Sequence, residues 1–408
     1  MNLSSAAALM LGIIGFQGHL ASFFSPWLTQ QYAWRFFYYG YWIAVLGLTL
    51  ATLALDWNLF RRSSRLLLIC GLSSALVALH PSDWVAKNYL VALGLCASTA
   101  VLATAAGHQR ILAWSAVVTA LNAGICIVAA LLPNPVTNPS GRVSGLAENP
   151  NIAAAELLLG IVIAWRAIPS RAQIPFLLLV TAGIVATLSR STLLVAAVIL
   201  IGVAAPHLRQ IRLKTRDIAL AAILIVSWLT TAIFINPDFW YGKNSVFYRI
   251  GQIPASTKTF VDAIFAPAAS PGRQDRAGGS PGGAPPFDDA KDGSAEARAA
   301  FLRESWLAYQ SAPATGWGLG RAYALAPHNS YLLFAVAFGA IGWLVPIAFI
   351  ALMFTYSRRD WPLPMTVAGL MLFSHDTLLL PASTMLLGLG FSQLIAISSP
   401  LISDQVAV

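Results

Sequence analysis

Residues 298–346 read RAAFLRESWLAYQSAPATGWGLGRAYALAPHNSYLLFAVAFGAIGWLVP. Apolar residues recur at roughly helical spacing in the first part of this segment, which predicts an amphipathic helix. A turn follows, and it is built on a proline and three glycines: Pro313, Gly316, Gly318 and Gly320. His328 and Asn329 come next, directly before a long apolar run. The segment therefore predicts a polar loop that returns to a membrane beside a histidine at the boundary with water.

Composition supports a membrane protein. Of the 408 residues, 57% are hydrophobic and only 10% are charged, with a mean hydropathy of +0.69. Soluble domains carry about 25% charged residues. The net charge of +9 is better explained by arginines in cytoplasmic loops than by binding to nucleic acid. The three cysteines lie in apolar runs, and their spacing predicts neither a disulfide framework nor a metal site. The first apolar segment is interpreted as a membrane span and not as a cleaved signal peptide.

The apolar runs predict an all-α integral membrane protein with about twelve transmembrane helices. A hydrocarbon core of about 30 Å needs roughly 20 residues in each helix. The candidate spans lie at about 5–27, 37–55, 66–81, 86–106, 111–132, 152–168, 174–189, 190–206, 217–235, 329–356, 363–380 and 382–400. This pattern predicts helices 1–9 in residues 1–235, a large loop in residues 236–328, and helices 10–12 in residues 329–408.

Loop charges predict the orientation of the chain. With the N-terminus inside, twelve lysines and arginines fall in cytoplasmic connections and four fall in short outward connections. Both termini are then cytoplasmic, and the large loop between helices 9 and 10 faces outward. Residues 266–297 within this loop are rich in Gly, Pro and Ala, which predicts a flexible insert. The acidic pair Asp288 and Asp289 in the insert is more readily interpreted as a solvated patch than as metal ligands.

The cations predicted to face outward suggest an anion site near His328. This group comprises Lys87, Arg142, Arg190, Arg298 and Arg303. Arginine grips a diphosphate in bidentate fashion, and a neutral imidazole with an intrinsic pKa of about 6.5 can accept a proton. Simpler readings are a snorkelling side chain for Arg190 and a surface histidine for His328. His375, beside Asp376 in the predicted eleventh span, is the other candidate for handling protons, although a buried hydrogen bond is its expected use.

Three stretches resemble successive signatures of the bacterial O-antigen ligase and polymerase superfamily. They are GRVSGLAENPN, TLSRSTLL, and the segment from Arg298 through HNSYLLFAVAFGAIG. The resemblance covers roughly residues 140–345 in the order and topology of the family. Leu302 departs from the pattern, because an aromatic residue is common there, and residues 266–297 resemble an insertion. Arg298 fits the position of the loop arginine better than Arg303 does.

The resemblance implies a metal-independent, inverting glycosyltransferase of the inner membrane with a periplasmic active site. The glycan donor would be linked to undecaprenyl diphosphate, and no cofactor would be needed. By this likeness, Arg190 and Arg298 would bind the diphosphate, and His328 would activate or orient the acceptor hydroxyl. Arg303, Arg142, Lys87 and Asn329 are weaker candidates for binding the diphosphate or the acceptor.

The acceptor distinguishes the possible activities. An O-antigen ligase would transfer the glycan to lipid A–core, a polymerase to another lipid-linked repeat, and a protein O-oligosaccharyltransferase to a polypeptide. The compact length of the chain favours the ligase. A secondary transporter also fits twelve spans, but such carriers often contain two repeated halves. No such repeat is evident here, and the large loop divides the chain asymmetrically.

Overall fold

The computed structural model describes residues 3–20, 33–78, 84–131, 143–147, 149–189, 191–197, 199, 295–356 and 361–397. For residues 33–37, 131 and 295–299 it describes the backbone alone. Every regular element in these ranges is a helix. The predictions for Arg142, Arg190, the span at 217–235 and the insert at 266–294 concern residues outside this description, as does the side chain of Arg298.

The helices are numbered here in chain order within the described part of the chain. They are α1 (Leu3–Gly12), α2 (Ala33–Leu55), α3 (Trp57–Val77), α4 (Trp84–Ala106), α5 (His108–Leu131), α6 (Pro150–Ala164), α7 (Ser170–Ala186), α8 (Ala295–Ser311), α9 (Leu319–Ala324), α10 (Ser330–Phe338), α11 (Leu344–Tyr356), α12 (Pro362–Phe373) and α13 (Pro381–Ile397). A π-helical turn (Ile13–Gln17) extends α1, and short 3-10 turns follow α6 (Trp165–Ala167) and α10 (Gly339–Trp343).

The apolar helices make this a helical integral membrane protein. Five segments of the described chain are long and apolar enough to cross a membrane: Tyr38–Leu55, Trp84–Ala106, His108–Ala130, Pro150–Ala167 and Ser330–Tyr356. Four shorter apolar helical segments accompany them: Leu3–Gln17, Ser170–Ala186, Pro362–Phe373 and Pro381–Ile397. The total of about twelve spans, the periplasmic loop and the cytoplasmic termini remain predictions.

Helices α4 and α13 form the centre of the bundle. Almost every residue of α13 is buried, and 78% of α4 is buried. Their backbones approach closely at Gly388, where an added Cβ would lie 2.5 Å from the carbonyl oxygen of Cys96. Small residues allow two apolar helices to pack at such short range. In a membrane this close packing replaces the hydrophobic effect as the force that holds helices together. The remaining helices pack around this pair.

Helix α3 begins earlier than hydropathy alone predicts. Asp56 caps its first turn by accepting a hydrogen bond from the backbone N–H of Leu59 at 2.9 Å. The helix therefore starts at Trp57, whereas the apolar run starts near residue 66. Arg61, Arg62 and Arg65 lie within it as exposed side chains. Charged residues end an apolar run without ending a helix.

Two predicted spans in the C-terminal part are interrupted. The run at 329–356 breaks at Gly339, whose φ of +69° favours glycine, so α10 and α11 are separate helices. The run at 363–380 ends its helix at Phe373, and residues 374–380 form a loop before Pro381. Proline disfavours a helical conformation for the residue before it, which helps to keep this loop open. His375 and Asp376 consequently lie in a loop and not within a transmembrane helix.

The start of α3 marks one end of the bundle. The Tyr356 hydroxyl at the end of α11 donates a hydrogen bond to the carbonyl oxygen of Arg62 at 2.9 Å. Helix α3 has 21 residues and is therefore about 30 Å long. The short connection from α3 to α4 makes the two antiparallel, so Trp84 at the start of α4 lies at the other end. The arginines of α3 are thus a full helix length away from Trp84.

Candidate active site

His328 occupies a strained turn between α9 and α10. Its φ is +49°, and Ala326 two residues earlier has a φ of +44°. Residues other than glycine seldom adopt this conformation, and each such residue costs of order 1–3 kcal/mol. The turn is fixed on its N-terminal side because the N–H of Ala326 donates to the carbonyl oxygen of Tyr323 at 2.9 Å. The backbone at His328, whose imidazole is half-buried, is therefore held in an uncommon conformation.

Five rings form a continuous row through His328. Phe301 of α8 lies 6.0 Å from the His328 ring, centroid to centroid, and His375 lies 5.2 Å from it in an edge-to-face arrangement. The row continues from His375 to Tyr323 at 5.1 Å, and from Tyr323 to Trp84 at 6.2 Å. Four segments that are distant in sequence thus meet around the predicted histidine. The structure brings His328 into the end of the bundle at which α4 begins.

The first turn of α10 is attached to the end of α12. The Ser330 hydroxyl donates to the carbonyl oxygen of Ser374 at 2.6 Å. The Asn329 side chain caps α10 by accepting from the N–H of Leu332 at 2.9 Å, and its amide donates to the carbonyl oxygen of Leu372 at 3.2 Å. These bonds fix the segment that follows His328. Both polar groups of Asn329 bond to backbone here, and its predicted role in binding substrate remains a prediction.

The glycine turn closes the other end of α10. The N–H groups of Trp317 and Gly318 donate to the carbonyl oxygens of Val336 and Ala337 at 2.8 and 2.9 Å. The last carbonyls of a helix have no partner within the helix, and the turn supplies one for these two. The N–H of Ala340 donates in return to the carbonyl oxygen of Pro313 at 2.7 Å. The Pro-x-x-Gly-x-Gly sequence thus has a structural role, which is to hold α10 and its histidine against α8.

His375 and Asp376 lie next to His328 in the loop between α12 and α13. The His375 Nε2 is 3.5 Å from the Asp376 Oδ1, and only 7% of His375 is exposed. The His375 Nδ1 and the Asp376 Oδ1 are buried, and neither has a hydrogen-bond partner among the described residues. Polar atoms buried in this way are costly and uncommon. The expected buried hydrogen bond from His375 is therefore absent from the described part of the chain.

Of the predicted cations, Lys87 and Arg303 have described side chains. Lys87 is exposed in the first turn of α4, one turn from Trp84, and Arg303 is exposed on α8, two residues from Phe301. Both therefore lie on elements that contribute a ring to the row. Arg298 lies one turn before residue 302 in the same helix, with only its backbone described. Arg142 and Arg190 lie outside the described residues, so their meeting with His328 remains a prediction.

An additional arginine lies near this site. The guanidinium of Arg321 on α9 stacks over the Trp317 ring at 3.9 Å from its centroid. The Trp317 indole N–H in turn donates to the carbonyl oxygen of Ala308 at 2.9 Å. Arg321 is exposed and lies two residues before Tyr323. Arg321 lies within the predicted large loop, and residue spacing alone gives no indication of a stacked and oriented guanidinium.

A second polar cluster lies inside the bundle. His19, which follows the π-helical turn, contacts Glu156 of α6 with its Nε2 2.5 Å from the Glu156 Oε2, and both residues are only 5% exposed. The Ser383 hydroxyl donates to the Glu156 Oε1 at 3.3 Å. Gln17 is bound nearby, because its amide donates to the Ser115 carbonyl oxygen at 3.0 Å and its Oε1 accepts from the Ser115 hydroxyl at 2.9 Å. Gln17, His19 and Glu156 border a small cavity together with Thr119 and Asn122.

Residue spacing could identify only part of this arrangement. His328 is detectable because it lies between a glycine turn and an apolar run. The dipeptide His375-Asp376 is visible as a polar interruption of an apolar segment, but its contact with a histidine 47 positions earlier is a tertiary feature. Tyr323 and Phe301 carry no signal of their own, since aromatic residues are frequent throughout the chain. Their positions next to the two imidazoles emerge only from the fold.

Comparison with known proteins identifies one family. Residues 175–347 match the sequence profile of the family described as O-antigen ligase. The match begins within α7 and ends within α11, so it includes the described part of the large loop, the glycine turn and His328. A search of curated proteins finds no matching sequence.

Proposed function

We propose that the chain is an O-antigen ligase of the bacterial inner membrane, because residues 175–347 match the O-antigen ligase family. Members of the family are enzymes of the ligase and polymerase type that resemble glycosyltransferases. The proposed reaction moves O-antigen glycan from undecaprenyl diphosphate to a sugar hydroxyl of lipid A–core, with inversion at the anomeric carbon. The observation that supports this proposal most directly is the fixed, half-buried His328 at the end of α10, within the matched region.

His328 would serve as the base. The acceptor oxygen forms a bond with the anomeric carbon of the glycan while the bond from that carbon to the diphosphate oxygen breaks. The bonding electron pair leaves with the diphosphate, and the acceptor proton passes to the imidazole and then to water. A positioned base typically contributes 10²–10⁴-fold to such a rate. The strained turn and the cap by Asn329 support this role because they fix the backbone at His328, and the rings of Phe301 and His375 pack against its imidazole.

Arginines would stabilise the leaving group. The diphosphate gains negative charge as the glycosidic bond breaks, and preorganised guanidinium groups bind that charge most strongly in the transition state. We assign this role to Arg190 and Arg298, with Arg303, Arg142 and Lys87 as supporting cations. Lys87 and Arg303 lie on the two helices that supply Trp84 and Phe301 to the ring row. The proposal needs no metal ion or cofactor.

The decisive experiment offers two acceptors to one purified enzyme. The protein is reconstituted in lipid with an undecaprenyl-diphosphate glycan and a chelator, and lipid A–core and a second lipid-linked glycan are supplied in separate reactions. The ligase is expected to produce glycosylated lipid A–core, with no product from His328→Ala. His108→Ala, which alters a histidine at the start of α5, is the matched control and should retain activity.

Other outcomes would replace the proposal. Longer lipid-linked chains would indicate a polymerase, and transfer to a polypeptide would indicate a protein O-oligosaccharyltransferase. Movement of a solute without glycan transfer would indicate a transporter. Transfer to lipid A–core by folded His328→Ala protein at the normal rate would retain the ligase but remove His328 as its base.

A further inference from the structure

We infer that His375 and Asp376 act as positioning residues for His328, and that the three side chains form one proton-handling unit. The inference rests on the proposed function, because it gives His328 the role of base. In this unit, the Asp376 carboxylate faces the His375 imidazole, and the His375 imidazole contacts the His328 ring. Neither His375 nor Asp376 is required to touch the substrate.

The first support is the geometry of the contacts. The rings of His328 and His375 meet edge to face with 5.2 Å between their centroids, and the His375 Nε2 is 3.5 Å from the Asp376 Oδ1. The latter distance exceeds that of a good hydrogen bond. The two groups nevertheless face each other, and the order carboxylate, imidazole, imidazole is present in the fold.

The second support is that the pair makes little contribution to the fold. The His375 Nδ1 and the Asp376 Oδ1 are buried without hydrogen-bond partners among the described residues. Leaving a buried polar atom unsatisfied costs about 1–3 kcal/mol. Apolar residues in the same loop would avoid this cost, as Leu378 and Leu379 do beside them. A costly buried pair in contact with the candidate base indicates a functional role.

The third support is the rigidity of the connection. The N–H groups of Leu379 and Leu380 both donate to the Asp376 carbonyl oxygen, at 2.8 and 3.0 Å. The Asp376 N–H donates to the Ser374 hydroxyl at 3.1 Å. The carbonyl oxygen of Ser374 then accepts from the Ser330 hydroxyl. The loop that carries the pair is thereby bonded to a residue only two positions after His328.

The chemical effect follows from charge. When His328 takes the acceptor proton, its ring becomes positive in a partly buried site. The negative Asp376, one imidazole away, stabilises that positive ring and so favours the protonated state. Other charged or titratable side chains lie on the elements packed around His328, and those with described side chains are Lys87, Tyr89, Cys96, Arg303, Glu304, Tyr309, Arg321, Tyr323 and Tyr331. This set and the loop at 374–380 contain two acidic residues. Asp376 faces His375, whereas Glu304 lies on the exposed surface of α8.

The test uses Asp376→Asn, Asp376→Glu and His375→Gln in the full-length protein, with His108→Gln as the control. Asp376→Asn and His375→Gln should lower kcat by about 10- to 100-fold with little change in KM, whereas Asp376→Glu should recover most of the activity. The pH profile of kcat provides the second readout. Loss of the negative charge lowers the pKa of the base, so the rise of activity with pH should move to lower pH in Asp376→Asn.

A third readout does not depend on transfer. Diethyl pyrocarbonate acylates neutral imidazole, and peptide mass spectrometry follows its reaction with His328 as a function of pH. The midpoint should move to lower pH in Asp376→Asn and stay unchanged in His108→Gln. An unchanged midpoint together with an unchanged kcat profile would overturn the inference. Absence of transfer by the unaltered enzyme, with a shifted midpoint, would instead remove the proposed function and leave the coupling of the three residues established.

Discussion

Gly316 lies directly against the last turn of α10. An added Cβ on Gly316 would lie 2.3 Å from the carbonyl oxygen of Ala337, and the φ of Gly316 is +69°. Gly339, which follows α10, packs against the segment that precedes Gly316. A Cβ added to Gly339 would lie 2.6 Å from the carbonyl oxygen of Pro313. Only glycine fits both the space and the backbone conformation at these positions. The glycines of the turn and the glycine after α10 therefore form a single packed joint.

Gly316→Ala is expected to destabilise this joint. The substitution combines a positive φ with a collision against backbone, so it should cost about 1–3 kcal/mol or more. Thermal unfolding in detergent is the measurement. Gly47→Ala in α2 is the matched control, since no atom lies within 4 Å of its added Cβ and its backbone is helical. The control should be neutral or slightly stabilising, and equal melting temperatures for both variants would contradict the joint.

Asn329 is predicted to stabilise the start of α10. Asn329→Ala removes the acceptor for the Leu332 N–H and should lower the free energy of unfolding by about 1 kcal/mol. Asn329→Ser retains a capping oxygen and should recover most of that loss. Chemical or thermal unfolding of both variants measures the effect. If the serine variant is stable yet transfers glycan poorly, the amide of Asn329 also contacts substrate.

The His19–Glu156 pair is expected to be sensitive to the loss of one partner. His19→Gln removes the buried imidazole that contacts the Glu156 carboxyl group, and leaving a buried polar group without its partner costs about 1–3 kcal/mol. The double variant His19→Gln/Glu156→Gln removes both members of the pair and should recover part of the loss. A double-mutant cycle on melting temperature measures this coupling. Additive effects would show that the two side chains do not stabilise one another.

The arginines should differ in their contribution to transfer. Arg190→Lys is expected to lose on the order of 100-fold in kcat/KM, because a point charge cannot replace the guanidinium fork. Arg298→Ala should lose about tenfold more activity than Arg303→Ala, if Arg298 is the loop arginine that binds the diphosphate. Steady-state transfer kinetics test both expectations. Arg61→Lys, at the opposite end of the bundle, is the control and should transfer normally; a reversed order would identify Arg303 as the ligand.

Helix type and approximate position could be predicted from apolar runs, but helix ends could not. The run beginning near 66 missed the first part of α3, because Asp56 sets the helix start through a hydrogen bond that hydropathy does not record. The break at Gly339 cannot be predicted from hydropathy, because the sequence is equally apolar on both sides of it. The resemblance to the O-antigen ligase superfamily is supported by the family match over residues 175–347. The loop that contains His375 lies within a predicted span, because leucines surround it in the sequence.

The candidate site divides in the same way. His328 is predictable from the sequence because its polar turn interrupts apolar runs. Its contact with His375 could not be predicted, since that contact depends on where α12 ends and on the bond between Ser330 and Ser374. The meeting of Trp84, Tyr323 and Phe301 at one end of the bundle likewise requires the packing of three helices.

The burial of α10 has a consequence for the natural variation of this sequence. From Leu333 to Phe338 every side chain is enclosed by protein, with exposures of 0 or 1%, although the helix is as apolar as a segment that faces lipid. Leu344 and Ile347 of α11 are 59% and 48% exposed. At these exposed positions any apolar residue should serve equally well. At Phe334 volume and shape are constrained, so homologues should keep an aromatic residue there or change Tyr89 in the same step.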